Sequence, residues 1–109
     1  MAPTLLAGST AAPQPVVRPR ITSIVIPVRS STRAVPFSVR GRAGVATARI
    51  TQLRVKVGAQ RWSGWIRTRA GYSVVLPPGL ASYTVSFQLR DSRGISSTIA
   101  SRRVSCICG

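Results

Sequence analysis

The feature that most constrains this chain is the alternation from Tyr83 to Arg90, in which Tyr83, Val85, Phe87 and Leu89 take turns with Thr84, Ser86, Gln88 and Arg90. A period of two puts the first four on one face of a strand and the second four on the other. One side is buried and one is wet, so a second apolar layer has to cover the buried side. Val74, Val75 and Leu76 supply part of it, and Pro77-Pro78-Gly79 ends their run abruptly so that the chain crosses over. At the other end, Asp91-Ser92-Arg93-Gly94 reads as a tight turn. The aspartate bonds amides two or three residues on, and Gly94 supplies a positive φ.

The rest of the chain carries the same period. No window sustains the i, i+3, i+4, i+7 spacing of an amphipathic helix, and Val, Ile and Thr are plentiful. At 109 residues there is room for one core, not two. Residues 1–20, with Pro3, Pro13, Pro15 and Pro19, read as an extended Pro/Ala-rich N-terminal arm. Residues 21–109 read as the folded module. From Ile21, ITSIVIPV is a first strand that Pro27 confines to an edge or a bulge. Arg29-Ser30-Ser31-Thr32 is a turn signal. Val35, Phe37 and Val39 then alternate with Pro36, Ser38 and Arg40 in a second strand whose proline also suits an edge. After the loop Gly41–Gly44, the apolar parity switches between Ala46, Ala48, Ile50 and Leu53, Val55, Val57, so a bulge or break is expected near Thr51 and Gln52. Arg54 and Lys56 then face outward together. Gly58-Ala59-Gln60 closes a hairpin into Trp62-Ser63-Gly64-Trp65, with a second bend at Ser63-Gly64, and Arg67 and Arg69 share a face. The final run, from Ile95 to Gly109, reads as a last strand with a break near Arg102 and Arg103. About seven short strands with frequent turns are the signature of an all-β sandwich.

Leu76, a Pro/Gly corner and then Tyr83 opening an alternating strand resemble the tyrosine corner of sandwich domains, in which the phenol bonds backbone a few residues upstream. From about Gly44 to Ser97 the chain resembles bacterial immunoglobulin-like or fibronectin type III-like modules. The matching residues are Trp62-Ser63-Gly64-Trp65, the Pro/Gly corner, and the ending Arg90, Asp91 and Gly94; Ile95 departs from the polar residue usual after that glycine. The resemblance implies an immunoglobulin-like β-sandwich. It transfers no catalytic residues, because such modules occur on secreted enzymes, surface proteins and virions alike.

Fifteen arginines and one lysine face a single aspartate, a net charge of +15. A domain so charged repels itself and favours acidic surfaces or polyanions. The arginine bias suits bidentate contacts with carboxylate or phosphate, and a GC-rich genome would produce the same bias. The interface residues expected from exposure and parity are Arg18, Arg20, Arg54, Lys56, Arg67, Arg69 and Arg90. Trp62, Trp65, Tyr83, Phe87, Asp91 and Gly94 are expected to be structural. For the tryptophans the favoured arrangement has one between the sheets and one over an edge; an aromatic platform for a sugar or base is the alternative. Cys106 and Cys108, two apart on one strand, would have α-carbons about 6.5 to 7 Å apart, near or beyond the limit for a bridge. Free thiols are expected there, with an intermolecular disulfide or half of a shared metal site as the alternatives.

No nucleophile–base pair, metal cluster or phosphate loop is present, so no catalytic residue, metal or cofactor is expected and the chain reads as non-enzymatic. No run approaches the roughly 18 apolar residues of a membrane span, and the first residues do not form a convincing signal peptide. The expectation is a structural or assembly protein, most concretely a bacteriophage virion component. It would be a capsid decoration or small head or tail protein, made in the host cytoplasm, oligomeric or lattice-bound, and docked on acidic capsid or tail subunits. The alternatives are an exported carbohydrate- or envelope-binding module and a non-specific nucleic-acid binder.

Overall fold

The computed structural model describes residues 16–108. The arm expected over residues 1–20 therefore lies mostly outside the described residues. Its described end, residues 16–20, meets the fold at two points: Pro19 is fully buried, and the Val17 carbonyl accepts a 2.7 Å bond from Arg93 Nη2.

Among the described residues eight strands follow one another: β1 (Arg20–Val25), β2 (Arg29–Ser30), β3 (Ala34–Arg42), β4 (Ile50–Val57), β5 (Ile66–Arg67), β6 (Tyr72–Val75), β7 (Ser82–Asp91) and β8 (Ala100–Cys106). They form a three-stranded sheet, β1-β3-β6, and a five-stranded sheet, β2-β8-β7-β4-β5. The two pack together as an all-β sandwich. All pairings are antiparallel except β2 with β8. The core lies between the layers: Val35, Phe37, Val39 and Tyr72 from one sheet meet Leu53, Val55, Val57, Tyr83, Val85, Phe87, Leu89 and Val104 from the other. Phe37 stands at its centre, 5.3 Å from the Tyr72 ring and 5.1 Å from that of Phe87, spacings at which offset and tilted rings attract.

The parity switch at the start of β4 is a bulge. Ile50 pairs with Asp91 and Gln52 with Arg90, leaving Thr51 as the extra residue, and every residue after it changes face. The strand holding Pro36 is not an edge: β3 is the middle of its sheet. The proline is tolerated because β1 pairs only with its second half, Ser38–Arg42, and β6 only with its first, Ala34–Phe37. Around Pro36 the strand has a single neighbour, which leaves its missing N–H harmless. Arg29 and Ser30, expected in a turn, form β2 beside Ser105 and Cys106. No break occurs at Arg102 and Arg103, which pair in register with Val85 and Thr84; these residues are exposed without interrupting the strand.

The tyrosine corner is present. Tyr83 donates to the Pro77 carbonyl, and its hydroxyl accepts from the Leu80 amide at 3.2 Å. The two cysteines depart from expectation, since Cys106 and Cys108 are joined in a disulfide. The extended spacing does not apply because β8 ends at Cys106 and the chain bends, bringing the α-carbons to 5.3 Å, within the usual range for a bridge.

Candidate docking face

Residues on the solvent side of the five-stranded sheet have the parity opposite to the core. On β4 they are Gln52, Arg54 and Lys56, and on β7 Gln88 and Arg90, together with Ser86, which is buried on that side with its hydroxyl 3.0 Å from that of Ser101 and so is not the wet position that the alternation predicts. Cross-strand pairing sets Arg54 against Gln88 and Gln52 against Arg90, so the two guanidinium groups lie on a diagonal. Each is held by the amide opposite: Arg54 donates to Gln88 Oε1 from Nε (2.9 Å) and Nη2 (2.7 Å), and Arg90 Nε donates to Gln52 Oε1 (2.7 Å).

The Trp-Ser-Gly-Trp segment runs beside β4 and is docked by its serine. The Ser63 amide donates to the Val55 carbonyl at 2.8 Å, and Ser63 Oγ accepts from the Val55 amide at 3.0 Å. Ser63 thus replaces a strand residue for one pairing step and delivers a tryptophan on either side of itself. Arg54 lies 4.5 Å from the Trp62 ring centre and 4.8 Å from that of Trp65; Arg90 is 4.3 Å from Trp65, and Lys56 is 5.4 Å from Trp62. Cations and rings alternate in one row, Lys56, Trp62, Arg54, Trp65, Arg90. Neither tryptophan belongs to the buried core; both are half-buried on the outer face, which corrects the placement of one between the sheets. The row abuts a concavity of about 620 Å³ lined by Arg49, Ile50, Thr51, Gln52, Arg67 and Thr68.

Of the expected interface residues, Arg54, Lys56, Arg67 and Arg90 therefore share this face, Arg67 by pairing with Gln52. Arg20 lies on β1, opposite Arg42 in the other sheet, and Arg18 just precedes it. Arg69 sits over the Tyr72 ring at 5.8 Å. Gln52, Gln88 and Arg49 were missed by the sequence reading. A signal was available, because each glutamine precedes an arginine by two residues on a strand.

Asp91 is apart from all of this. It is buried, its Oδ1 accepts from the amides of Arg93 (2.9 Å) and Ile95 (3.1 Å), and its Oδ2 accepts from Arg93 Nε (3.0 Å) and Nη2 (2.6 Å). Gly94 has φ 82°, as the turn requires. Burial alone would push the carboxyl pKa up, but the bonds from Arg93 and Ile95 and the Arg93 charge outweigh it and hold the pKa below the ordinary value. The carboxylate is a turn and ion-pair group, and no cluster of metal-ligating side chains occurs among the described residues.

No protein-family model matches the sequence, and no curated protein does. Among solved structures the chain is similar to part of an α-L-rhamnosidase from Streptomyces avermitilis crystallised with L-rhamnose. The TM-score is 0.61 at 18% identity, over 81% of this chain and 10% of that one. A superoxide reductase (neelaredoxin) from Ignicoccus hospitalis aligns at a TM-score of 0.48 and 12% identity, over 83% of this chain and 80% of that one. The chain thus spans a tenth of the rhamnosidase's length, and the likeness between the two is one of fold.

Proposed function

We propose that this chain is a non-enzymatic assembly module of the immunoglobulin-like or fibronectin type III-like kind that docks on an acidic protein surface. The observation that carries the reading is that the one side-chain carboxylate is sealed inside its own turn by Arg93. The outer-face cations are held instead by aromatic rings and neutral amides, which orient a charge without cancelling it. A charge of +15 kept this way needs counter-charge from elsewhere. The strand order supports the family half of the proposal, with three strands facing a sheet whose centre is β8-β7-β4.

The setting we propose is a bacteriophage virion, with the chain as a capsid decoration or small head or tail protein. A sugar platform on the tryptophans is less well supported, because Arg54 and Arg90 already lie over those rings. The test is co-sedimentation of the purified chain with assembled phage heads of acidic outer surface. Retention is expected at about 50 mM salt and release at several hundred millimolar, as screening lengths shrink. A chain that stays in the supernatant with every acidic lattice at low salt would refute the reading.

A further inference from the structure

We propose that the outer face of the five-stranded sheet receives an extended, Asp/Glu-rich segment of the partner protein, along the row from Lys56 to Arg90 and into the concavity beside Gln52. This rests on the docking reading above and adds the surface and the form of the ligand.

The argument begins with donors. Arg90 spends only Nε on Gln52, and none of the hydrogen bonds among the described residues uses its Nη groups. Its two-pronged end, the geometry that fits a carboxylate, carries no hydrogen bond among the described residues. Arg54 spends Nε and Nη2 on Gln88, and no described bond uses Nη1. Both side chains are immobilised before any ligand arrives, so less rotamer entropy remains to be lost on binding. Both also lie over one ring, at 4.8 and 4.3 Å from Trp65, which crowds like charges that an incoming carboxylate would relieve. Past Arg90, the concavity adds Arg49 and Arg67 along the same face.

The row suits carboxylates on protein better than nucleic acid. Sheet-based readers of single strands stack bases on open aromatic faces, and here guanidinium groups already lie over the rings. With Arg49 and Arg67 in the concavity, the three cations of the row become a five-cation stretch along one face. It matches a few acidic side chains of one extended segment.

The test uses fluorescein-labelled octaglutamate and the full chain. Anisotropy gives the affinity, and intrinsic emission gives the place, because the chain's two tryptophans both stand in the row. Saturable binding with a change in tryptophan emission is expected. In R54Q/R90Q the dissociation constant should rise by about tenfold or more, while R20Q/R42Q on the other sheet should change it by under about twofold. R90K, which keeps the charge and loses the fork, should fall between; it also decides the matter if circular dichroism shows the double variant unfolded. Loss of binding in R20Q/R42Q with none in R54Q/R90Q would overturn the inference and leave the docking reading intact. Absence of any octaglutamate binding by the parent chain, with retention on acidic lattices intact, would overturn the inference and leave the docking reading standing; absence of both would sink both. Tighter binding of an eight-residue oligothymidylate, lost in R54Q/R90Q, would overturn the inference in favour of nucleic acid.

Discussion

Strands β4 and β7 present two faces that share a backbone and little else. Inward, Leu53, Val55 and Val57 lie beside Val85, Phe87 and Leu89, all buried. Outward, Arg54 and Lys56 lie beside Gln88 and Ser86. The inner face is ordered by exclusion of water and close packing, which needs only residues of suitable size and parity. The outer face is ordered by orientation. Its cations keep fixed places because amides across the strand and rings from the Trp62–Trp65 segment hold them. A sheet can therefore have two organised faces while drawing nearly all its stability from one.

The largest effect should come from the inner face. Phe87 is fully buried and its ring lies 5.1 Å from Phe37, so Phe87→Ala should cost about 3 to 5 kcal/mol in a urea melt through lost transfer energy and the cavity left behind. A loss no greater than that of an outer-face truncation would erase the contrast between the faces.

Next comes Asp91, the acidic exception among cations. Asp91→Ala removes the acceptor of four bonds and leaves Arg93 without its partner, a loss of about 3 kcal/mol at pH 7. Because the native pKa lies below the ordinary 3.8, the unfolded chain takes up a proton first. Its stabilisation is then complete above 3.8 and drains away as pH falls through the lowered native value. With no other side-chain carboxylate in the sequence, the parent's acid sensitivity should trace largely to this residue. The variant's stability should be nearly flat from pH 5 to 2, and a slope matching the parent's would show that the group is not what titrates.

Trp65→Ala should cost less, about 1 to 2 kcal/mol, since contacts to two cations at a half-exposed ring are worth roughly 0.5 to 1 kcal/mol each. Its larger consequence should be loss of order in Arg54 and Arg90, read as broadened side-chain Nε resonances. Sharp, unmoved resonances would mean that Gln52 and Gln88 suffice to hold them.

The inner face was legible in the sequence because burial obeys parity: the alternation at Tyr83–Leu89, the bulge at Thr51, the turn at Asp91 and the tyrosine corner all follow from local residue order. The outer face was legible only as a set of exposed cations. That Arg54 would meet Trp62, Trp65 and Gln88 depends on which strands are neighbours and on Ser63 docking beside Val55, both set by tertiary pairing. The cysteines differ from expectation for a related reason: the extended spacing holds only within a strand, and β8 ends at Cys106, where the chain bends.

The smallest effect tests the outer face most directly. If amides and rings orient the cations without neutralising them, repulsion within the row persists, and added salt should stabilise the folded chain by screening it. Raising sodium chloride from about 10 to 150 mM shortens the screening length from roughly 30 to 8 Å, so the melting temperature of the parent should climb by a few degrees. Arg54→Gln takes out the central charge, the one that touches both rings. It loses about 1 kcal/mol of cation–π contact and gains relief from Lys56 and Arg90. Its stability in low salt should therefore stay close to the parent's, with a visibly shallower rise on adding salt. A melting temperature that falls with salt in the parent would mean that attraction to the rings and amides outweighs repulsion along the row, and that the face is satisfied without a partner.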